Sequence, residues 1–130
     1  GIPKVTDGDT VRIGNTRIRL HGIDAPEISQ LCERKGKQWH CGRESKKALT
    51  AIIGNKSLSC TKRDTDRYKR VIAVCRAGSI NLNAWMVENG WAVAYRRYSR
   101  DYILDEQDAK ASQRGMWSGK FIMPWDWRKK

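Results

Sequence analysis

No apolar run in this chain approaches the ~20 residues that a membrane-spanning helix requires, so insertion into a bilayer by that route is excluded. The start, Gly1-Ile2-Pro3, has neither an initiator methionine nor a basic stretch leading into an apolar one. Any export signal is therefore expected to be absent from this chain. The four cysteines contain no C-x2-C pair, which argues against a zinc site. Histidine is confined to His21, read as a structural residue beside Gly22, and His40 in a loop. Internal repeats, low-complexity tracts and interdomain linkers are missing, and 130 residues suit one domain spanning 1–130. Acidic residues are scarce: 14 Asp and Glu stand against 26 Lys and Arg, for a net charge of +12 and a pI near 9.9. Such a surface attracts a polyanion, whether nucleic acid, an anionic membrane or another. A cationic membrane-active protein would need a basic amphipathic helix, and the clearest helical segment, 81–89, is not basic.

Against that basic background, carboxylates gather in two short clusters. Asp7-Gly8-Asp9-Thr10 comes first and Asp24-Ala25-Pro26-Glu27 second, with Arg19 between them. In an extended segment residues i and i+2 share a side, which sets Asp7 and Asp9 together. Gly8 permits a conformation that a larger residue resists. Pro26 biases Ala25 towards extended backbone and so fixes the direction of its carbonyl. Two carboxylates and a backbone carbonyl, completed by water, suit Ca2+. Each cluster alone would read as an ordinary turn; the pair with an arginine between them points to chemistry. Guanidinium groups offer paired donors that match phosphate oxygens and keep their charge at any working pH.

Val11 and Ile13, then Ile18 and Leu20, alternate with polar residues around Gly14-Asn15 and predict a hairpin. Residues 28–42 are polar and read as a loop. A helix is predicted over 43–53, stopped by Gly54. Strands follow at 58–61 and 71–75, separated by a charged loop from Lys62 to Arg70. Further helices are predicted over 81–89 and, with a weaker apolar stripe, 101–114, with Asp101 as cap and Gly115 as stop. Trp117, Trp125 and Trp127 read as packing residues of a tail that ends in Arg128-Lys129-Lys130. This order fits a small antiparallel barrel with helices outside it, among other α+β folds. The four cysteines allow three pairings. Local bridges, Cys32 with Cys41 and Cys60 with Cys75, are favoured and imply an oxidising compartment. Lys62, Arg63, Arg67, Lys69, Arg96, Arg97 and Arg100 fall in two segments and are read as the walls of a groove for a single strand.

Three ordered pieces carry a family likeness: Asp7-Gly8-Asp9-Thr10-Val11, Arg19-Leu20-His21-Gly22-Ile23-Asp24-Ala25-Pro26-Glu27, and Asp66-Arg67-Tyr68-Lys69-Arg70. Weaker support comes from Gly90-Trp91-Ala92, Ala94-Tyr95 and Gly115-Met116-Trp117. Together they resemble the staphylococcal nuclease (thermonuclease) family. The resemblance implies an α+β, mainly β fold, a five-stranded OB-type barrel with three packed helices. It implies a Ca2+-dependent nuclease acting on DNA and RNA, preferably single-stranded, and leaving 3′-phosphate ends. A monomer, secreted or periplasmic, is expected. On the same basis Asp9 and Asp24 would supply carboxylate ligands to the metal, Ala25 its carbonyl, and Asp7 the outer shell. Arg19 and Arg70 would bind and stabilise the phosphate, and Glu27 would orient or deprotonate the attacking water. Arg67, Tyr68, Lys69, Tyr95 and Arg97 would contact the nucleotide. The family commonly has Thr in place of Ala25, Gly in place of Lys69 and Tyr in place of Arg97. Tyr98 is read as packing. The alternative is an inactive nucleic-acid or protein-binding module of the same fold; such a module is expected to lose some of Asp9, Arg19, Asp24, Glu27 and Arg70, all of which stand here.

Overall fold

The computed structural model describes residues 2–129, so Lys130 of the basic tail lies outside the described residues. Strands β1 (Lys4–Asp7), β2 (Thr10–Ile13) and β3 (Thr16–Leu20) form an antiparallel meander. Val11, Ile18 and Leu20 are buried on one face, as the alternation predicts. Two short strands follow, β4 (Ile23–Asp24) and, after an irregular stretch, β5 (Cys32–Arg34), which forms a hairpin with β6 (Lys37–Trp39). Segment 28–42 is therefore not wholly a loop. Lys35 and Gly36 adopt φ of 53° and 78°, the left-handed pair that closes a tight hairpin.

Helix α1 (Cys41–Ile53) begins two residues before the predicted start, and Gly54 ends it with φ 58°. Strand β7 (Leu58–Thr65) extends four residues beyond the predicted Thr61. The first four residues of the charged loop are thus strand, pairing with β8 (Val71–Ala77) up to Thr65 opposite Val71. β7 lies at the sheet edge, where Lys62, Arg63 and Asp64 remain exposed; Lys62 and Asp64 keep their places in the ladder and Arg63 sits at a register shift between them. Charged side chains on an edge strand also discourage pairing with other chains.

Strand order in the main sheet is β1-β2-β3-β8-β7, with β9 (Ile80–Asn81) added beside β8. The β3–β8 pairing is parallel, so the barrel is not purely antiparallel as the element order suggests. Helix α2 (Leu82–Glu88) is capped by the Asn81 side chain, which accepts the Ala84 N–H. Strand β10 (Val93–Ala94) pairs with β4 and brings Asp24 opposite Val93. Helix α3 (Ile103–Ala111) is shorter than 101–114, and Asp101 does not cap it; its N-terminal residue is Tyr102. A short helix α4 (Pro124–Trp127) follows a 3-10 turn at Gly115–Ser118. The mainly β sheet with helices packed on it is the OB-like arrangement expected.

The main core joins Val11, Ile18 and Leu20 of the sheet to Leu49 and Ile53 of α1 and Leu82, Met86 and Val87 of α2. A second cluster forms around Cys32, Cys41, Val93 and Met116, with Trp39, Trp117, Phe121, Met123 and Trp125 packed on it. Both local disulfides are present, Cys32–Cys41 and Cys60–Cys75. The first ties β5 to the start of α1 within the second cluster. The second staples β7 to β8 across directly opposed positions. Among the described residues no helix is long and apolar enough to cross a membrane.

Candidate active site

Residues from β1, β3 and β4, the 66–70 turn, segment 95–98 and the C-terminal segment face one open cleft of about 1020 Å³. A register irregularity between Val5 and Asp7 ends the β1–β2 ladder, and such a bulge re-aims the side chains beside it. Gly8 follows, and the reason for glycine is steric rather than conformational. A Cβ at Gly8 would lie 2.0 Å from Ser45 Oγ and 2.8 Å from the Ala25 Cβ, so a larger residue would push the two acidic turns apart.

Asp9 is 3% exposed and tightly held. Its Oδ2 accepts the Ala25 N–H at 2.8 Å, and its Oδ1 accepts the Thr10 hydroxyl at 2.9 Å. The Ala25–Asp9 bond joins the two acidic clusters of the sequence directly. Arg19, on β3, bridges them a second time, with Nη1 at 3.2 Å from Asp9 and Nη2 at 3.3 Å from Asp24. Nη2 also donates to the Ile23 carbonyl at 3.2 Å. Asp7 accepts the Asp9 N–H at 3.0 Å.

Proximity of these groups sets their protonation. Burial and the facing Asp9 push the Asp7 carboxyl up to about 8, so Asp7 carries the proton of the pair at neutral pH. Burial works against ionised Asp9, but Arg19 and the hydrogen bonds of Asp7, Ala25 and Thr10 outweigh it and hold Asp9 below the ordinary range. Burial also pushes Asp24 up, opposed first by its hydrogen bonds to Arg128.

Arg128 is the residue that sequence reasoning missed. Its guanidinium grips both oxygens of Asp24, each at 2.8 Å, and lies 3.5 Å from Glu27 Oε1. Asp24 is fully buried and does not line the cleft; Arg19 and Arg128, which do, are the cations that hold it. The basic tail gave no sign of this, because the partner lies 104 positions away in sequence.

Arg70 reaches the cleft from the 66–70 turn. Asp66 Oδ1 accepts the N–H groups of Tyr68 and Arg70, each at 2.9 Å, and its Oδ2 accepts Arg70 Nε at 2.7 Å. Binding through Nε leaves the two terminal nitrogens of Arg70 to face a ligand. Asp66 is thus a second contributor that the sequence did not single out by role.

Of the candidate residues, Asp7, Asp9, Arg19, Ala25, Glu27, Arg67, Tyr68, Arg70, Tyr95 and Arg97 line the cleft. Lys69 does not; it stands exposed with φ 64°. Of the basic residues read as groove walls, Arg63, Arg67 and Arg97 line the cleft, while Lys62, Lys69, Arg96 and Arg100 do not. Tyr98 is not a packing residue: it is 63% exposed, lines the cleft and meets Tyr95 edge-on at 4.8 Å. His21 also lines the cleft, with Nε2 3.8 Å from Asp101; its backbone N–H donates to Ala73 and its carbonyl accepts from Asn83.

Asp9 and Asp24 carry carboxylate oxygens of the kind hard cations prefer, and both oxygens of Asp24 are held by Arg128. Among the described residues no group of three His, Cys, Asp or Glu is placed to hold a metal. A cation here would rest on two carboxylates, with carbonyl and water completing its shell.

The family model described as staphylococcal nuclease homologue matches residues 17–119. The succinoglycan biosynthesis protein ExoI of Rhizobium meliloti (strain 1021) is 36% identical over 121 residues, covering 90% of this chain and 63% of its own length. An uncharacterized endonuclease of Haemophilus influenzae is 35% identical over 136 residues, covering 98% of this chain and 71% of its own. The probable staphylococcal-like nuclease CAN3 of Oryza sativa subsp. japonica is 35% identical over 124 residues, covering 93% of this chain and 30% of its own. The chain therefore spans only part of each relative. With Arg19, Asp24, Glu27 and Arg70 all inside the matched segment, the chain belongs to the staphylococcal nuclease family.

Proposed function

We propose that this chain is a Ca2+-dependent nuclease, a single domain that hydrolyses phosphodiester bonds of DNA and RNA, with single strands preferred. One observation carries the reading: Arg19, which lines a cleft together with Asp9, Glu27 and Arg70, joins Asp9 to the fully buried Asp24 behind it, in a protein of net charge +12. Asp9, Asp24 and the Ala25 carbonyl would hold the cation, with Asp7 in its outer shell. When bound, the cation would offset phosphate charge and favour ionisation of a nearby water.

The chain's own residues supply the rest. Arg19 and the terminal nitrogens of Arg70 present donors to the non-bridging phosphate oxygens, where negative charge builds as water attacks. Such preorganised donors are each worth several kcal/mol to a transition state, on the order of 3–4. Glu27, 39% exposed at its side chain, would orient or deprotonate that water. Tyr68, Tyr95 and Tyr98 offer faces for bases, while Arg63, Arg67 and Arg97 attract the backbone. The expected products carry 3′-phosphate ends. The two disulfides favour an oxidising, secreted or periplasmic setting, and a monomer suffices for every role named.

The test is Glu27→Gln measured for turnover and substrate affinity separately. Turnover is expected to fall at least a hundredfold, as loss of acid–base assistance does, with affinity little changed. An unaltered turnover rate would remove Glu27 from its role.

A further inference from the structure

Beyond the cleft, on the far side of the Tyr95–Trp125 stack, lies a second cavity of about 570 Å³. Tyr95 and Arg97 line both spaces. Tyr95 and Trp125 stack with centroids 5.0 Å apart and planes inclined by 16°; Trp125 lines the second cavity alone. Trp117 adds a further indole, with Lys110 Nζ 5.6 Å from its ring. The one acidic residue lining this cavity, Glu106, is already engaged: Oε1 accepts the Ala94 N–H at 3.0 Å and Oε2 meets Arg96 at 3.1 Å. Arg97, Lys110 and Lys129 are the remaining charges on the lining, and all are positive.

Aromatic faces ringed by cations, opening beside a phosphate-binding cleft, suit a nucleotide better than an apolar ligand. A neutral apolar molecule would leave three positive charges at the rim without a counter-charge, whereas a nucleotide supplies both a base to stack and a phosphate to neutralise them. We propose that the second cavity is an accessory subsite for a further nucleotide of the same single strand whose scissile phosphate lies in the cleft. This proposal rests on the nuclease reading. It makes the protein a reader of strand length: a dinucleotide fills the cleft alone, and a longer strand also engages Trp125, Trp117 and Lys110.

The test is the affinity of wild type and Lys110→Glu for thymidine oligonucleotides of two and six nucleotides, in EGTA at low salt. Lys110 lines the second cavity and not the cleft, and it is exposed on α3, so the variant leaves the core untouched. Lys56→Glu, in the exposed segment between α1 and β7, controls for net charge. Wild type is expected to bind the hexamer roughly tenfold more tightly than the dimer, about the worth of one stacked base. Lys110→Glu is expected to abolish most of that gain while binding the dimer as wild type does. Equal loss in Lys56→Glu, or equal loss on dimer and hexamer, would overturn the subsite and leave the nuclease reading intact. A wild-type protein that bound no oligonucleotide of either length would overturn both.

Discussion

Arg128 and Asp24 form a two-point pair, with Nη1 donating to Oδ1 and Nη2 to Oδ2, each at 2.8 Å. The carboxylate is fully buried, while the arginine side chain is 34% exposed and its bonds to Asp24 push its pKa further up. A cation that binds Asp24 must share or displace this arginine. Removing it would free a carboxylate already placed as a ligand.

Arg128→Ala is therefore expected to tighten Ca2+ binding about tenfold by calorimetry, a modest part of the Coulomb energy between close charges. The same variant is expected to unfold at lower temperature in EGTA, because Asp24 keeps only Arg19 as a cationic partner. The cost is about 1–3 kcal/mol, reduced from the fully buried case by the exposure of Arg128. Weaker Ca2+ binding would show instead that Arg128 orients Asp24 for the metal.

The Asp66–Arg70 contact supplies a pH dependence. Burial alone would push the Asp66 carboxyl up, but the Arg70 N–H, the Arg70 guanidinium and the Tyr68 N–H hold it below its ordinary 3.8. A depressed carboxylate stabilises the fold above its unfolded value and loses that contribution as pH falls through the folded one. Asp66→Asn places an amide against Arg70 Nε and is expected to cost about 1–2 kcal/mol at pH 7. The difference from wild type should shrink below pH 3.8 in acid unfolding curves. A constant difference across that range would contradict the assignment.

Lys69 sits at φ 64°, where an L side chain is strained, in the turn that delivers Arg70. The resembling family's preference for glycine at this position has its physical reason here. Lys69→Gly is expected to raise stability by about 0.5–1 kcal/mol, the strain relief exceeding the added freedom of the unfolded chain. Thermal unfolding checks it, and a lowered midpoint would contradict it.

Local chemistry made much of this molecule readable. The Gly14-Asn15 hairpin, the Gly54 stop and the Asn81 cap are written in turn and capping residues that act within a few positions. Asp9 and Arg19 lie within one meander and Asp24 on the short strand just after it, so their spacing carries their meeting. Other features were hidden for identifiable reasons. The β5–β6 hairpin carries only Cys32 and Trp39 as apolar residues, too few for an alternating pattern, and betrays itself only at Lys35-Gly36. The charges of Lys62 and Arg63 masked strand backbone, because an exposed edge tolerates them. Asp101 had the chemistry of a cap, yet its N–H is taken by Ser99 Oγ at 3.0 Å and the helix begins beyond it. Arg128 and Trp125 meet their partners, Asp24 and Tyr95, only through the return of the tail across the second cluster, a tertiary event that no local pattern encodes.

Cleavage of denatured DNA by wild type and Arg19→Ala, each with Ca2+, with Mg2+ and with excess EGTA, tests the central claim most directly. Cleavage by wild type in Ca2+, lost in EGTA and reduced at least a hundredfold in Arg19→Ala, is the expected result. Tight, salt-sensitive binding of the DNA without cleavage under either metal would contradict it and leave a binding module built on the same fold.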